Sequence, residues 1–389
     1  MNKYGIYLIG ISVTFNYSSY VYLFSALLQT WERELNLTRN NLTFALSLGL
    51  MIHMLLLPLL GKLVDRNYSF IMMWLSPLLL GFSVINLAFV DTYYEFVIAW
   101  ILISVTAGGC LYTMVFSVLT INLKKNIKNS IAIITLIAGL ASTYTFPTAT
   151  YITESFNWRI TVIVFGIVNI LISTPANYFG FKNIIRKHNK FETDTEEEKQ
   201  ETIYYNPRFW LLSFPLVVFG FNSGAMIAHI IPMMQEKNMS LTMAVLVASL
   251  FGPGQIIGRI LIMIYGNHKS NIDLFVLCFY SSLIGIIFLY FVNLDFYLAF
   301  LFILFNSGAI GSMAILKPLV QNDIFGKVNF GNIHGVLAIC FMSGSIAGPW
   351  IGSLIWSVGG YNLLIIFFFI LAICGNISAL VLKNYKTKV

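Results

Sequence analysis

The chain has 389 residues, of which 58% are hydrophobic and only 10% are charged, and its formal net charge is +7. A soluble domain carries roughly 25% charged residues, so this composition excludes a soluble enzyme or a nucleic-acid-binding domain. It predicts an all-α membrane protein, in which every backbone polar group inside the lipid bilayer is paired within the chain.

Twelve apolar stretches are long enough to cross a bilayer, which takes roughly 20 residues of helix. We number them spans 1 to 12, at residues 4–28, 41–60, 70–90, 95–121, 129–152, 159–181, 208–234, 241–265, 272–293, 296–321, 331–356 and 361–382. The segment between spans 6 and 7 is polar and has no apolar periodicity. The pattern therefore predicts two six-helix bundles, residues 1–181 and 208–389, joined by a linker over residues 182–207.

The basic residues are distributed unequally between the two sides of the predicted spans. Twelve spans place both termini on one side, and 17 lysines and arginines fall on that side against four on the other. The four are Arg33, Arg39, Arg159 and Lys237. Because cytoplasmic loops carry the excess of lysine and arginine, both termini and the linker are predicted to be cytoplasmic.

The two halves of the chain resemble each other weakly. Each half has a glycine-rich span, a polar cytoplasmic loop and a span that ends near a proline, from Gly108 to Pro147 and from Gly308 to Pro349. Internal repeats of this kind are typical of secondary transporters, which place the substrate site near the middle of the membrane between the repeats.

Span 8 carries an arginine inside its apolar run. Arg259 follows Gly252-Pro253-Gly254, which weakens the helix, and Gln255 lies one turn before the arginine on the same helical face. A cation within a span costs a few kcal/mol and usually faces a protein interior or a watery cavity. Arg259 is therefore a candidate contact for an anionic solute, with Gln255 beside it. The alternative is that its long side chain snorkels to the cytoplasmic end of the span.

Four further side chains in the spans are candidate substrate contacts. Lys317 in span 10 is either a second anion contact or a snorkelling lysine. His229 in span 7 is a substrate contact, a proton carrier or a neutral histidine hydrogen-bonded inside the bundle. Tyr17 and Tyr112 either line a cavity or pack between helices. No Asp or Glu lies deep within a span, and the chain has no nucleotide-binding loop, so we expect neither a cofactor nor ATP-driven pumping.

A short charged loop, Gly61-Lys62-Leu63-Val64-Asp65-Arg66, follows span 2. An Asp–Arg pair at a cytoplasmic helix end can latch neighbouring helices, because a nearby helix N-terminus stabilises the carboxylate. The alternative is an ordinary charged turn. The loop resembles the signature of the major facilitator superfamily, Gly-x-Leu-x-Asp-Arg followed by glycine and basic residues, and the resemblance makes Gly61, Asp65 and Arg66 candidate gate residues. Here Asn67-Tyr68-Ser69-Phe70 replaces the second half of the signature.

Other segments extend the resemblance over essentially the whole chain, and it is closest to the oxalate–formate antiporter and monocarboxylate transporter branch. They are, in order, residues 108–113, 157–159, 207–212, 258–259, 325–331 and 348–361. The resemblance implies the major facilitator fold and an arginine in span 8 that pairs with an anionic substrate. Two positions depart from the branch. Gln255 stands where monocarboxylate transporters have an aspartate, and span 11 offers only His334 where oxalate transporters have a lysine.

We therefore expect a secondary active transporter that moves a small organic anion, mono- or dicarboxylate-like, by alternating access between two bundles around a central cavity. The alternative within the superfamily is an exporter of amphipathic compounds or of siderophore-type polycarboxylates. An intramembrane enzyme and a passive channel or nutrient sensor are the rivals from other classes. The expected protein is a monomer in the cell membrane, and a proton is the coupling ion we consider.

The predicted topology is open to direct labelling. After the four native cysteines are replaced, Lys388→Cys should react with a membrane-impermeant thiol reagent only in opened cells, because the carboxy terminus is predicted inside. Arg33→Cys, on the opposite side, is the matched control and should react in intact cells. Ready labelling of Lys388→Cys from outside contradicts the topology.

Asp65→Asn tests the latch. The change removes a charge at a gate rather than in a binding cavity, so turnover should fall more than ligand affinity. The measurement pairs the counterflow rate in proteoliposomes with equilibrium binding of the same solute. Weaker binding at an unchanged turnover per bound ligand would show that Asp65 does not act as a latch.

Overall fold

The computed structural model describes residues 3–64, 68–123, 127–182, 184–185, 205–266, 269–326 and 330–386. All regular structure in these residues is helical, as the composition predicts. The α-helices are, in chain order, α1 Lys3–Tyr17, α2 Leu23–Glu34, α3 Arg39–Leu63, α4 Ser69–Asn86, α5 Tyr93–Ala107, α6 Tyr112–Asn122, α7 Ile127–Ala138, α8 Ala141–Ser155, α9 Trp158–Val168, α10 Thr174–Lys182, α11 Pro207–Glu236, α12 Leu241–Ser249, α13 Phe251–Tyr265, α14 Asn271–Tyr290, α15 Leu298–Phe325 and α16 Phe330–Lys386.

Contacts within the chain divide it into two compact units, Met1–Glu192 and Thr193–Val389. Helices α1 to α10 belong to the amino-terminal unit, and α11 to α16 belong to the carboxy-terminal unit. The linker predicted over residues 182–207 lies for the most part outside the described residues.

Ten helices among the described residues are long and apolar enough to cross a membrane. The last of them, Ile333–Tyr385, contains both span 11 and span 12. The two spans are separated where Gly359 and Gly360 interrupt the helical backbone. Gly360 has a φ of 66°, a left-handed conformation that favours glycine. Span 1 is not among the ten, since the helical rod over residues 3–34 is more polar than the others. Its polar face is buried in the unit, including Asn16 at 0% exposure.

Within the described residues, the helical rods of the amino-terminal unit are interrupted at four places, one of them at Gly139-Leu140 between α7 and α8. A π turn at Ser18–Tyr22 separates α1 from α2. Span 4 breaks between α5 and α6, at residues 108–111, where two adjacent glycines weaken the helix. A second π turn, Asn169–Ser173, separates α9 from α10. Single π turns inside α-helices are frequent at functional sites.

Ion pairs join neighbouring helices at the predicted outer end of the amino-terminal unit. The Arg159 guanidinium donates to Asp91 at 2.5 Å and joins α9 to the loop before α5. Arg39 donates to both carboxylate oxygens of Glu32, at 2.6 and 2.8 Å, and only 8% of its side chain is exposed. Two of the four cations predicted on the outer side therefore hold neighbouring helices together through two-point or short contacts.

The helices of the carboxy-terminal unit approach each other at glycines. Gly220 and Gly224 of α11 lie so close to α16 that a Cβ atom at either position would overlap its backbone. α16 presents Gly344 and Gly348, whose Cβ positions are in turn occupied by α11. Small residues allow backbones to come close where lipid provides no hydrophobic driving force between helices.

The interruption of span 8 differs from the prediction by a few residues. The sequence places the weak point at Gly252-Pro253-Gly254, whereas the backbone is interrupted at Leu250, between α12 and α13. Pro253 is the third residue of α13. Its missing N–H is tolerated there because the first turn of a helix has no intrahelical acceptor. α13 thus carries Arg259 in its third turn.

Candidate functional site

Arg259 is half-buried on α13. Its guanidinium donates to Oε1 of Gln255, one turn earlier, at 3.4 Å. The two side chains therefore share one helical face, as their spacing predicts. This contact orients the guanidinium.

α13 packs against α15 through its smallest residues. A Cβ atom at Gly258 would overlap the backbone of Gly308. The Ser312 hydroxyl donates to the Gly258 carbonyl at 3.0 Å. The contact fixes the axial register of the two helices immediately beside Arg259.

Lys317 lies on α15 beyond this contact. The neighbouring pairs Gly254–Ser307 and Gly258–Ser312 advance together, so the two helices run in the same direction. At 1.5 Å per residue, Lys317 is roughly 7 Å further along the helix axis than Arg259. The two predicted anion contacts therefore lie on adjacent helices of one unit at similar depth.

Phe341 of α16 is the partner of the Lys317 ammonium. The Nζ atom lies 3.8 Å from the centroid of the ring, which is a cation–π contact. Within the described parts of the chain, Lys317 has neither a hydrogen bond nor an ion pair. His334, which pairs with Gln321 at 2.8 Å, also interacts electrostatically with Lys317. The ammonium is thus surrounded by an aromatic ring and another basic group.

His229 is fully buried on α11, and both of its ring nitrogens have partners. Nε2 lies 2.8 Å from the carbonyl oxygen of Pro349, and Nδ1 lies 3.0 Å from the hydroxyl of Tyr361. A carbonyl only accepts, so Nε2 carries the hydrogen, and in the neutral ring Nδ1 then accepts from the tyrosine hydroxyl. The geometry favours the third interpretation of His229, a neutral histidine that holds α11 to α16 on both sides of the Gly360 turn.

Tyr17 and Tyr112 lie together in the amino-terminal unit, with ring centroids 4.5 Å apart. Tyr17 ends α1 just before the π turn, and Tyr112 begins α6 just after the break in span 4. The Tyr17 hydroxyl interacts with the backbone amide of Tyr112, at a helix start where such amides have no intrahelical acceptor. Asn16 donates to the carbonyl of Cys110 in the break at 3.2 Å. The two interruptions therefore lie side by side, and residues before the first support the second.

The family follows from a comparison with known proteins. Residues 9–325 match the family model described as Major Facilitator Superfamily. The chain belongs to this superfamily. Together with its apolar helices, membership makes the chain a multi-pass integral membrane protein. No curated protein matches the chain by sequence.

Solved structures of transporters share the architecture of the chain. The nucleoside transporter NupG has a TM-score of 0.79 and 9% identity, over 97% of this chain and 98% of that chain. A bacterial homolog of the human lysosomal transporter Spinster, inward-facing and unoccupied, has a TM-score of 0.77 and 13% identity, over 100% and 98%. Its inward-facing and occupied form has a TM-score of 0.72 and 12% identity, over 97% of this chain and 96% of that chain. The chain therefore has the major facilitator fold.

Proteins of the major facilitator superfamily are generally not enzymes, in agreement with the prediction that this chain is none. Among the described residues, no group of three His, Cys, Asp or Glu side chains is placed to hold a metal ion.

The predicted gate is described only in part. Gly61 lies in the last turn of α3, and a Cβ atom there would meet no described atom within 4 Å. Asp65 and Arg66 lie outside the described residues. The role of this superfamily signature as a latch stays a prediction.

Two residues that contact candidate regions, one in each unit, were missed by sequence reasoning. Asn16 carries a detectable signal, because an amide inside a span must find a partner and here supports the broken helix. Phe341 carries none, since it is one of 33 phenylalanines and its contact with Lys317 depends on how α16 packs.

His229→Ala should lower the stability of the protein and leave solute affinity unchanged. The substitution leaves the buried Pro349 carbonyl without its side-chain donor, at a cost of about 1–3 kcal/mol. Thermal unfolding of the purified protein measures the loss, and His229→Gln, which keeps a donor, should recover part of it. Unchanged stability combined with an altered pH profile of transport would support a proton carrier instead.

Proposed function

We propose that the protein is a secondary active transporter that moves a small organic anion, mono- or dicarboxylate-like, across the cell membrane by alternating access. The observation that carries the proposal is Lys317. It is a half-buried ammonium inside a membrane-spanning helix, and its partner among the described residues is the face of Phe341.

The energetics of this ammonium favour an anionic ligand. Moving a cation out of water costs several kcal/mol in a real protein. A cation–π contact offsets about 0.5–2 kcal/mol of that cost. A carboxylate would provide the charge-assisted hydrogen bond that a phenylalanine ring lacks. A bound anion therefore offsets a penalty that the empty protein carries.

Arg259 is proposed as the main charge contact. A guanidinium stays protonated and presents parallel N–H groups that match the two oxygens of a carboxylate. Gln255 accepts a hydrogen bond from one side of the guanidinium at 3.4 Å. The close packing at Gly258 fixes the helix that carries Arg259. The offset of roughly 7 Å between Arg259 and Lys317 along the helices suits one small diacid, or one carboxylate reached by both side chains.

Within the superfamily, we place the chain nearest to the oxalate–formate antiporter and monocarboxylate transporter branch. Gln255 is an amide and cannot take up a proton as a carboxylate can, so a coupling proton would bind elsewhere. Lys317 comes from span 10, but it contacts Phe341 of span 11 and so brings a cation to the helix where oxalate transporters carry their lysine. A monomeric state and cytoplasmic termini are part of the proposal.

An exporter of amphipathic compounds is the second candidate. One observation favours it: the rings of Tyr17, Tyr112 and Phe116 form a row, with successive centroids 4.5 and 5.1 Å apart. A flat apolar solute could stack on such a row. Binding of lipophilic cations or neutral aromatic compounds, with no response to carboxylates, would favour this candidate.

Arg259→Gln and Lys317→Gln test the anion site. A thermal-shift screen of the purified protein against oxalate, formate, lactate, succinate and citrate identifies a ligand, since binding to the folded state raises its apparent stability. Loss of either charge should weaken binding of that ligand by at least about 2 kcal/mol, or roughly 30-fold. Arg259→Lys should restore ligand affinity only in part, because an ammonium cannot donate two parallel hydrogen bonds to one carboxylate.

Lys182→Gln is the matched control, because Lys182 is an exposed cation at the end of α10. It should bind the ligand normally. Near-normal affinity of a well-folded Arg259→Gln protein for its carboxylate ligand would overturn the role of Arg259 and favour the snorkelling alternative.

A further inference from the structure

Two helices of the carboxy-terminal unit carry continuous lipid-facing stripes. On α14 and the turn after it, exposed apolar side chains recur every three or four residues, at Leu277, Tyr280, Ile284, Ile287 and Phe291. On the second half of α16 the series is Ile366, Ile370, Ile373, Ile377 and Val381. Apolar stripes of this length on membrane-spanning helices face hydrocarbon rather than water.

A groove of about 240 Å³ lies between the two stripes, at the end predicted to be outside. Ile286 and Ile365, each 1% exposed, form its floor, and Tyr290, Ile366 and Phe369 contribute to its walls. Every residue that lines the groove is apolar or aromatic. The groove is therefore suited to a hydrocarbon chain rather than to a polar solute.

Lys237 marks the polar end of this groove. Its ammonium donates to the backbone carbonyl of Tyr290 at 3.0 Å and to Oδ1 of Asn362 at 2.5 Å. It thus bridges the same two helices that form the groove. Asn362 is exposed and lies one turn before the floor residue Ile365.

The polar end offers hydrogen-bond donors rather than acceptors. The Tyr290 carbonyl and the Asn362 Oδ1 atom already accept from the ammonium, which has three N–H groups. The amide nitrogen of Asn362 makes no hydrogen bond within the described part of the chain. The nearest acid in sequence is Glu236, and both of its oxygens are engaged elsewhere, by the indole of Trp356 at 2.7 Å and the backbone amide of Tyr361 at 2.6 Å.

We propose that this groove binds one phospholipid with an anionic headgroup, with an acyl chain between α14 and α16 and the phosphate at Lys237 and Asn362. An apolar trough that ends in the exposed amide of Asn362, with the 5% exposed Lys237 behind it, matches the two chemical parts of such a lipid. Burial lowers the pKa of Lys237 and Glu236 opposes this shift, so a phosphate beside the ammonium would stabilise its charged form further. The proposal does not depend on which solute is transported.

Native mass spectrometry of the delipidated protein tests the site, with phosphatidylglycerol and phosphatidylcholine of the same acyl chains as probes. The wild-type protein should retain phosphatidylglycerol preferentially. Ile366→Trp fills the groove and should lower retention of phosphatidylglycerol, whereas Ile377→Trp, on the same stripe but outside the groove, should not. Asn362→Asp keeps an acceptor for Lys237 and adds a negative charge, so it should weaken phosphatidylglycerol binding by about fivefold and spare phosphatidylcholine.

Equal retention of the two lipids by the wild-type protein overturns the proposal. So does an equal effect of Ile366→Trp and Ile377→Trp. If Ile366→Trp fails to fold, Asn362→Asp decides alone, and an unchanged preference for phosphatidylglycerol in that variant then rejects the site.

Discussion

The positions of both candidate anion contacts depend on the backbone contact at Gly258. Helices in a bilayer gain no hydrophobic free energy by associating, so they are held by close packing and hydrogen bonds. At Gly258 the missing side chain lets α15 approach, and the Ser312 hydroxyl completes the contact with the Gly258 carbonyl. Arg259 is the next residue on α13, and Lys317 lies five residues beyond Ser312, so the absence of a Cβ atom sets where the two charges lie.

The amino-terminal unit follows a different rule, in which interruptions rather than close contacts position the candidate residues. The π turn after Tyr17 and the break before Tyr112 leave backbone groups without their usual helical partners. At the break before Tyr112, Asn16 and the Tyr17 hydroxyl supply such partners from the neighbouring rod, to the Cys110 carbonyl and the Tyr112 amide. The pair of tyrosines is therefore a support for the broken helix, whether or not it also contacts a solute.

The sequence predicts the helices well, because a bilayer demands long apolar stretches and leaves few alternatives. The sequence predicts span 8 at residues 241–265, and its two helices cover Leu241–Ser249 and Phe251–Tyr265. The pairing of Gln255 with Arg259 was also predictable, since it follows from helical spacing alone. The interruption was predicted a few residues late, because a proline can occupy the first turn of a new helix instead of ending the old one.

The partners of the side chains were less predictable, since they depend on packing between helices that are distant in sequence. Nothing in the pattern of residues indicates that Lys317 meets Phe341, or that His229 is satisfied by Pro349 and Tyr361. The sequence therefore identified candidate residues by their cost in a membrane. The structure divides them into Lys317, whose described contact is an aromatic face, and His229, whose two nitrogens are both satisfied.

The π turn at Ser18–Tyr22 gives the helical segment over residues 3–34 a surplus residue that a regular α-helix lacks. Such a turn holds one residue more than an α-turn, and successive residues of an α-helix differ in direction by about 100°. If the surplus residue migrates along the rod, each side chain that it passes swings by roughly that angle while the two ends stay in place. Tyr17 borders the turn and Tyr20 lies within it, so these are the two tyrosines whose direction such a migration would change.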